Sequence, residues 1–372
     1  MIGISFGIYK SGYMKIGFDG FPFNRKPIGI GKYVLELMLR LIDAYPHAEF
    51  VVISNQAVIL PQELIGRVKV AKVPPVFKRL PTIVWLKLFS RHTIKKEKLD
   101  YYFSTGGFLP TGKFRYKTVS VIHDFVYLIQ PKSMGYLSCL SQRLFLKKDI
   151  RQADFIVCNS QGTAEKISFY TGIAADSIIN PPIHSRFDHH PTDIDKMVLD
   201  KHALSFPYLL TVGTLEPRKN LPTTIQVYVD LKRKGNLEGM KLVIVGDKGW
   251  RDAQILELCN RHKDDIVRLG YVDDEDLPAL YRQAAAFLYP SFYEGFGIPV
   301  REALLCECPV ITSDLTELRE ASYNKAVYID PTNKSDYEQA ILKVLAEPKR
   351  VDDLLPAHTE SDLGPFLSFF KQ

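Results

Sequence analysis

The sequence predicts an α/β protein made of two doubly wound, mostly parallel sheets, and three observations carry that expectation. Short β-branched runs alternate with helix-period segments along the 372-residue chain, the pattern of consecutive strand–helix units. The alternation restarts past the middle, after an aperiodic stretch rich in Pro, His and Asp, NPPIHSRFDHHPTDID at 180–195. The length also exceeds one small core and favours about two domains.

Taken in order, strands are predicted in the first half at 15–19 (KIGFD), 49–54 (EFVVIS), 101–104 (YYFS), 118–122 (TVSVI) and 154–158 (DFIVC). Helices fit near 30–44, 82–97, 136–150 and 162–170. In the second half the strands are 208–213, 241–246, 265–270, 286–290 and 309–312, with helices near 221–234, 251–261, 275–284, 299–306 and 335–346. The stretch 180–195 reads as a linker, which sets a first domain over 1–190 and a second over 191–346. Residues 347–372 are short and Pro-interrupted, and are expected to return in part to the first domain. Residues 1–13 read as an upstream extension, because the first strand begins at Lys15 and Met14 suits a start.

Composition narrows the classes. With 46% hydrophobic and 24% charged residues, nothing favours disorder or a fibre. No apolar run approaches the roughly 20 residues that cross a bilayer. MIGISFGIYKSGY lacks the basic start and longer apolar stretch of a secretory signal, so a cytosolic location is expected. The five cysteines are odd in number and form no CxxC pair, which favours packing over redox or metal roles.

The net charge of +6 hides an asymmetry. Residues 1–190 hold about 26 Lys and Arg against about 13 Asp and Glu; the remainder is acidic. A basic domain suits anionic lipid or an anionic acceptor, and by itself makes no case for nucleic acid. Lys78, Arg79, Lys87, Arg91, Lys95, Lys96 and Lys98 flank the apolar TIVWLKLF at 82–89. Two outcomes are open for that helix: lying on anionic lipid, or packing on the sheet with a solvated basic face.

In open parallel sheets ligands bind beyond the carboxyl ends of the strands, so the loops there are the ones to inspect. GTLEPRKN (213–220) follows a strand and precedes a helix. Gly213 permits a tight turn, and Arg218 and Lys219 put two cations near a helix start, an arrangement that fits a diphosphate. PSFYEGFGIPVRE (290–302) also follows a strand. Pro299 suits the first turn of a helix, Gly295 and Gly297 let backbone amides approach a ligand, and Glu294 and Glu302 are two carboxylates able to accept from vicinal hydroxyls. Without further context, either segment also reads as a capped helix start with solvated charges.

Together the two segments resemble the family-four retaining glycosyltransferases of the GT-B fold. The Glu-x7-Glu spacing from Glu294 to Glu302 is the most specific mark, and the resemblance extends from residue 15 to about residue 346, strongest over 208–321. It implies that Arg218 and Lys219 hold the donor diphosphate, Glu294 with Gly295, Phe296 and Gly297 the donor sugar, and Glu302 the ribose. PIGIGKY (27–33) resembles the family's glycine-rich loop, with Gly29 and Gly31 beneath the donor phosphates. VIHDFVY (121–127) resembles its His-Asp segment, which places His123 beside the bond being broken, as a second catalytic residue with Glu294. Asn159 and Ser160 resemble a further cleft loop. Thr214, Glu307, Cys308 and NPPIHSRF depart from the family's usual wording.

The resemblance implies hexosyl transfer with retention, from a sugar nucleotide to a hydroxyl of a glycan or lipid-linked acceptor, with no metal and no other cofactor. Its wording points to mannose from GDP-mannose and to polysaccharide or lipopolysaccharide assembly at the inner face of a membrane. A UDP-sugar donor and a non-catalytic sugar-nucleotide-binding subunit are the alternatives. A metal-dependent transferase needs an Asp-x-Asp after a strand, whereas Asp193-Ile-Asp195 falls in the linker and Asp273–Asp276 reads as helix capping. GIGKYV lacks the third glycine of a nicotinamide fingerprint.

Overall fold

The computed structural model describes residues 14–25, 29–182, 187, 193–249, 251–347 and 362–371; the expected extension at 1–13 lies outside them. The first sheet holds β1 (Lys15–Asp19), β2 (Glu49–Ile53), β3 (Lys69–Val70), β4 (Tyr101–Ser104), β5 (Lys117–Ile122), β6 (Phe155–Cys158) and β7 (Ser177–Ile178), in the order β3-β2-β1-β4-β5-β6-β7. The second holds β8 (Tyr208–Val212), β9 (Lys241–Val245), β10 (Ile266–Gly270), β11 (Ala286–Tyr289), β12 (Val310–Ser313) and β13 (Val327–Ile329), in the order β10-β9-β8-β11-β12-β13. Every pairing is parallel.

Helices return the chain between these strands. The first set is α1 (Ile30–Ala44), α2 (Thr82–Leu88), α3 (Ser90–Glu97), α4 (Val126–Ile129), α5 (Tyr136–Gln152), α6 (Gln161–Thr171) and α7 (Asp193–Lys201). The second is α8 (Leu221–Arg233), α9 (Ala253–Arg261), α10 (Leu277–Gln283), α11 (Ile298–Leu305), α12 (Thr316–Ala321), α13 (Lys334–Ala346) and α14 (Gly364–Phe369). Central strands read as continuous apolar runs because both faces are covered; Val119, Val121, Leu209 and Ile244 are fully buried.

Four expectations need correction. The helix expected over 82–97 is two, broken at Phe89. Lys87 is no surface cation: like Trp85 and Leu86 it is buried, paired with Asp149 of α5 and donating to the Leu109 carbonyl at 2.7 Å. Residues 193–195 are not linker. Asp193 and Asp195 open α7, where acids complement the helix dipole, and Asp195 grips Arg282 of α10 through two bonds of 2.9 and 2.6 Å. Strands β3, β7 and β13 and helices α4 and α12 were not anticipated: the strands have three residues or fewer and the helices less than two turns, too short to display a period.

The chain ends on the first sheet. Phe366, Phe369 and Phe370 of α14 and its C-terminal flank are buried among Tyr101, Phe103 and Phe155, with the Phe155 and Phe369 rings 4.8 Å apart.

Candidate active site

Each sheet reverses its winding once, between β1 and β4 in the first and between β8 and β11 in the second. Such switch points open a crevice at the strands' carboxyl ends. The loops leaving β8 and β11 are 213–220 and 290–297, so the two segments singled out in the sequence meet at one crevice.

The loop after β8 is shaped by its own residues. Gly213 lies at φ 148°, and the stem of Lys219 passes where its side chain would stand. Pro217 starts a single 3-10 turn, and Asn220 reverses the chain into α8 in the left-handed region at φ 58°. Asn tolerates that conformation, and the Asn220 side-chain Nδ2 donates to the Pro331 carbonyl at 2.9 Å. The Phe292 amide donates to the Arg218 carbonyl at 2.8 Å, tying the two loops together.

Arg218, Lys219 and Glu294 form one cluster, with Glu294 buried and the two cations half-buried around it. Arg218 Nη1 reaches Glu294 Oε2 at 2.6 Å, and Lys219 Nζ reaches Glu294 Oε1 at 2.6 Å. Arg218 Nε also meets Glu216 Oε2 at 2.8 Å, and Lys219 donates to the Tyr289 hydroxyl. Burial favours the neutral acid, yet the two cations outweigh it and hold Glu294 at about 2. Burial dominates at Lys219, lowering it to about 8 despite the attraction of Glu294. The Arg218 guanidinium is held more firmly charged than usual: Glu294 and Glu216 overcome its desolvation. Two cations therefore face two carboxylates.

The first domain supplies the opposite wall. Thr105, after β4, donates its hydroxyl to Asp19 at the end of β1 at 2.6 Å, bridging the first switch point. His123, after β5, places Nε2 2.6 Å from the Thr105 carbonyl. A carbonyl only accepts, so Nε2 carries the proton and Nδ1 of the neutral ring is left as an acceptor. Burial lowers the His123 pKa and keeps the ring neutral. Among the described residues no group partners its buried Nδ1, nor the buried Oδ1 of Asn159.

The two walls touch. The Phe125 amide donates to the Tyr293 hydroxyl at 2.6 Å, and Ser160 donates to the Gly295 carbonyl at 2.6 Å. A β-carbon on Gly295 would stand 2.2 Å from the His123 carbonyl oxygen; only glycine fits there. Lys166 of α6 meets Glu317 of α12, and Asn180 donates to Glu320 at 2.7 Å. Lys32 of α1 pairs with Asp274.

The remaining sequence candidates fall into three places. Glu302 lies on α11 and accepts from the Tyr281 hydroxyl at 3.1 Å. Gly297 caps α11 at φ 106°, where a β-carbon would strike Leu318. The Phe296 ring is buried in the second core under the Arg301 guanidinium, so what it can offer a ligand is backbone. Gly29 starts α1 at φ 46° with open space around it, and Gly31 is buried in the first turn. Sequence reading did not single out Glu216, Tyr289, Tyr293 or Thr105. Glu216 and Tyr293 were signalled by their places inside GTLEPRKN and PSFYEGFGIPVRE; Tyr289, at the end of β11, and Thr105, after β4, had no signal beyond their strands.

Comparison with known proteins agrees with this architecture. A family model described as glycosyl transferases group 1 matches residues 200–358. The O-antigen chain mannosyltransferase B of Escherichia coli is 30% identical over 349 residues, covering 90% of this chain and 91% of that protein. Among solved structures, WaaG, a glycosyltransferase involved in lipopolysaccharide biosynthesis, superposes with a TM-score of 0.66 at 16% identity over 89% of this chain and 90% of its own. HepE of Anabaena in complex with UDP-glucose gives 0.61 at 16% identity over 89% of each chain.

Proposed function

The chain belongs to the group 1 glycosyltransferases and has the GT-B fold, and we propose that it is a retaining mannosyltransferase using GDP-mannose. The acceptor in this reading is a hydroxyl of a glycan or lipid-linked saccharide in polysaccharide or lipopolysaccharide assembly, at the inner face of a membrane. The observation that carries it is the Arg218–Glu294–Lys219 cluster at the switch point of the second sheet. The name of the Escherichia coli relative supports the sugar.

In this mechanism the donor diphosphate takes the place that the Glu294 carboxylate holds on Arg218 and Lys219. The displaced carboxylate turns to the sugar hydroxyls, and Glu302 serves the ribose. As the bond from the anomeric carbon to the diphosphate breaks, its electron pair leaves with the phosphate, whose growing charge Arg218 and Lys219 stabilise in place of a metal. The acceptor oxygen bonds to the same face, and its proton passes to a departing phosphate oxygen. The neutral Nδ1 of His123 and Oδ1 of Asn159 accept from hydroxyls on the opposite wall. Contact between the walls excludes water and limits hydrolysis.

A panel of GDP- and UDP-sugars read by thermal shift, followed by NMR of the product linkage, tests the reading. GDP-mannose is expected to raise the melting temperature most, and the product to keep the donor's anomeric configuration. An inverted product, or transfer abolished by EDTA and restored by manganese, overturns it. The UDP-glucose complex of HepE favours a second reading, a UDP-sugar donor; a shift by UDP-glucose and none by GDP-mannose selects it. Binding without transfer selects a non-catalytic partner subunit.

A further inference from the structure

We propose that Asp19 and Thr105 are positioning residues for the transfer, acting through His123. The Asp19 carboxylate fixes the Thr105 peptide, and the Thr105 carbonyl then holds His123 as its Nε2–H tautomer, leaving Nδ1 to accept from a substrate hydroxyl. This deepens the reading above, on which it rests for that hydroxyl. Neither residue touches a substrate in it.

The route starts at the first switch point. Phe18 of β1 pairs with Phe103 of β4, so Asp19 and Thr105 leave the two strands side by side. One carboxylate then takes both donors of Thr105: the hydroxyl gives to Oδ1 at 2.6 Å, and the backbone amide gives to Oδ2. The Phe21 amide adds a third bond, to Oδ1 at 3.3 Å. A group that accepts from three donors and gives to none is the ionised carboxylate. Two bonds to one residue fix a direction as well as a distance. The turn itself cannot supply that direction. The peptide after Thr105 leads into Gly106 and Gly107, the second at φ 81°, and glycine is the most permissive of residues.

His123 stands at the other end of the route. Its Nε2 donates to the Thr105 carbonyl at 2.6 Å. The Tyr33 ring lies edge-on to the imidazole, with centroids 5.7 Å apart at 81°, and the Tyr33 hydroxyl is tied to the Ile179 carbonyl at 2.8 Å. Packing of this kind confines the ring but does not choose its tautomer, because both tautomers have the same shape. The carbonyl does choose, since it accepts a proton on Nε2 and repels a lone pair there. The choice matters at Nδ1, which is buried without a partner among the described residues. With the proton on Nε2 that atom is an acceptor, and a tautomer switch would turn it into a donor. An acceptor left open in this way costs free energy that an arriving hydroxyl returns.

The test joins transfer kinetics to NMR of the full chain with nitrogen-labelled histidines, the His123 signals being those lost in His123→Gln. The parent is expected to show one His123 tautomer, protonated on Nε2. Asp19→Ala is expected to let the tautomers mix and to lower kcat about tenfold, the worth of one hydrogen bond. Its KM for GDP-mannose should stay within about twofold, because Arg218 and Lys219 are on the other wall. Asp19→Asn should recover most of the loss: its amide oxygen still accepts from the Thr105 amide, and its nitrogen can donate to the Thr105 hydroxyl. In a His123→Ala background, Asp19→Ala should cost almost nothing further. Thr105→Val removes one of the two contacts and Thr105→Ser returns it, so this pair carries the test if Asp19→Ala does not fold. An unchanged kcat in Asp19→Ala, or the same loss in the His123→Ala background, overturns the proposal. So does a His123 protonated on Nδ1 in the parent, or a tautomer that neither Asp19→Ala nor Thr105→Val moves. A parent that transfers no sugar overturns the functional reading instead, and the His123 spectrum of the free protein still judges the tautomer lock.

Discussion

The two walls of the cleft are built on opposite principles. The second-domain wall is charged and internally satisfied: Arg218 and Lys219 are already occupied by Glu294 and Glu216. The first-domain wall is left open at two points: His123 Nδ1 and Asn159 Oδ1 are buried acceptors that no described group partners, near an Asp19 carboxyl held by Thr105. Buried cations without a counter-charge are costly, so the wall proposed to receive a diphosphate holds the Glu294 carboxylate on its cations instead. Buried acceptors cost less to leave open and are suited to hydroxyls, which only need to be oriented. In the mechanism proposed above, the leaving group falls to the second-domain wall and hydroxyl alignment to the other.

Glu294 is where that contrast breaks most readily. In Glu294→Gln the sugar loses its carboxylate, and transfer is expected to fall about 10²–10³-fold. The same change removes the anion competing for Arg218 and Lys219, so binding of the free nucleoside diphosphate should tighten. Stopped-time transfer assays and isothermal titration of the product nucleotide read the two effects separately. Loss of both transfer and nucleotide binding would mean that Glu294 only holds the loop together. Unchanged turnover would remove it from the catalytic assignment.

Gly295 sharpens the comparison from the geometric side. In Gly295→Ala a methyl group must displace the His123 backbone, since the carbonyl oxygen lies 2.2 Å from its position. The walls move apart by a fraction of an ångström to an ångström, and misplacement on that scale costs about 10²-fold in kcat/KM. Donor affinity should change far less, because Arg218 and Lys219 are on one wall. Equal losses in donor affinity and turnover would show that the substitution unfolds the loop and does not merely separate the walls.

The same contrast explains what the sequence disclosed. The donor wall was legible because its chemistry is local: Arg218 and Lys219 are adjacent in the chain, and Glu294 and Gly295 share one loop. That Glu294 would sit on both cations was not legible, since the pairing spans some seventy residues and depends on β8 and β11 being neighbours. The first wall is assembled from single residues at the ends of separate strands: the resemblance named His123 and Asn159, whereas Asp19 and Thr105 carried no spacing to read. Lys87 shows the reverse limit. Counted with its cationic neighbours it looked solvated, yet the register of α2 turns it inward to Asp149.

The smallest expected effect concerns pH. Lys219 titrates at about 8 in the free site, so its charge is complete well below that value and lost above it. The kcat/KM for the donor should fall about tenfold between pH 7 and 9, because this parameter reports the free enzyme. At saturating donor, kcat should hold over the same range, since a bound diphosphate favours the protonated amine. Unfolding through this group cannot imitate the decline. The unfolded chain keeps the lysine protonated to about 10.4, so between these values it binds more protons than the folded chain, and Lys219 makes stability rise with pH. Lys219→Arg supplies the control: a guanidinium does not titrate here, and its profile should lose the alkaline limb. A limb that persists in that variant would belong to another group, and the charged wall would then act through Arg218 alone.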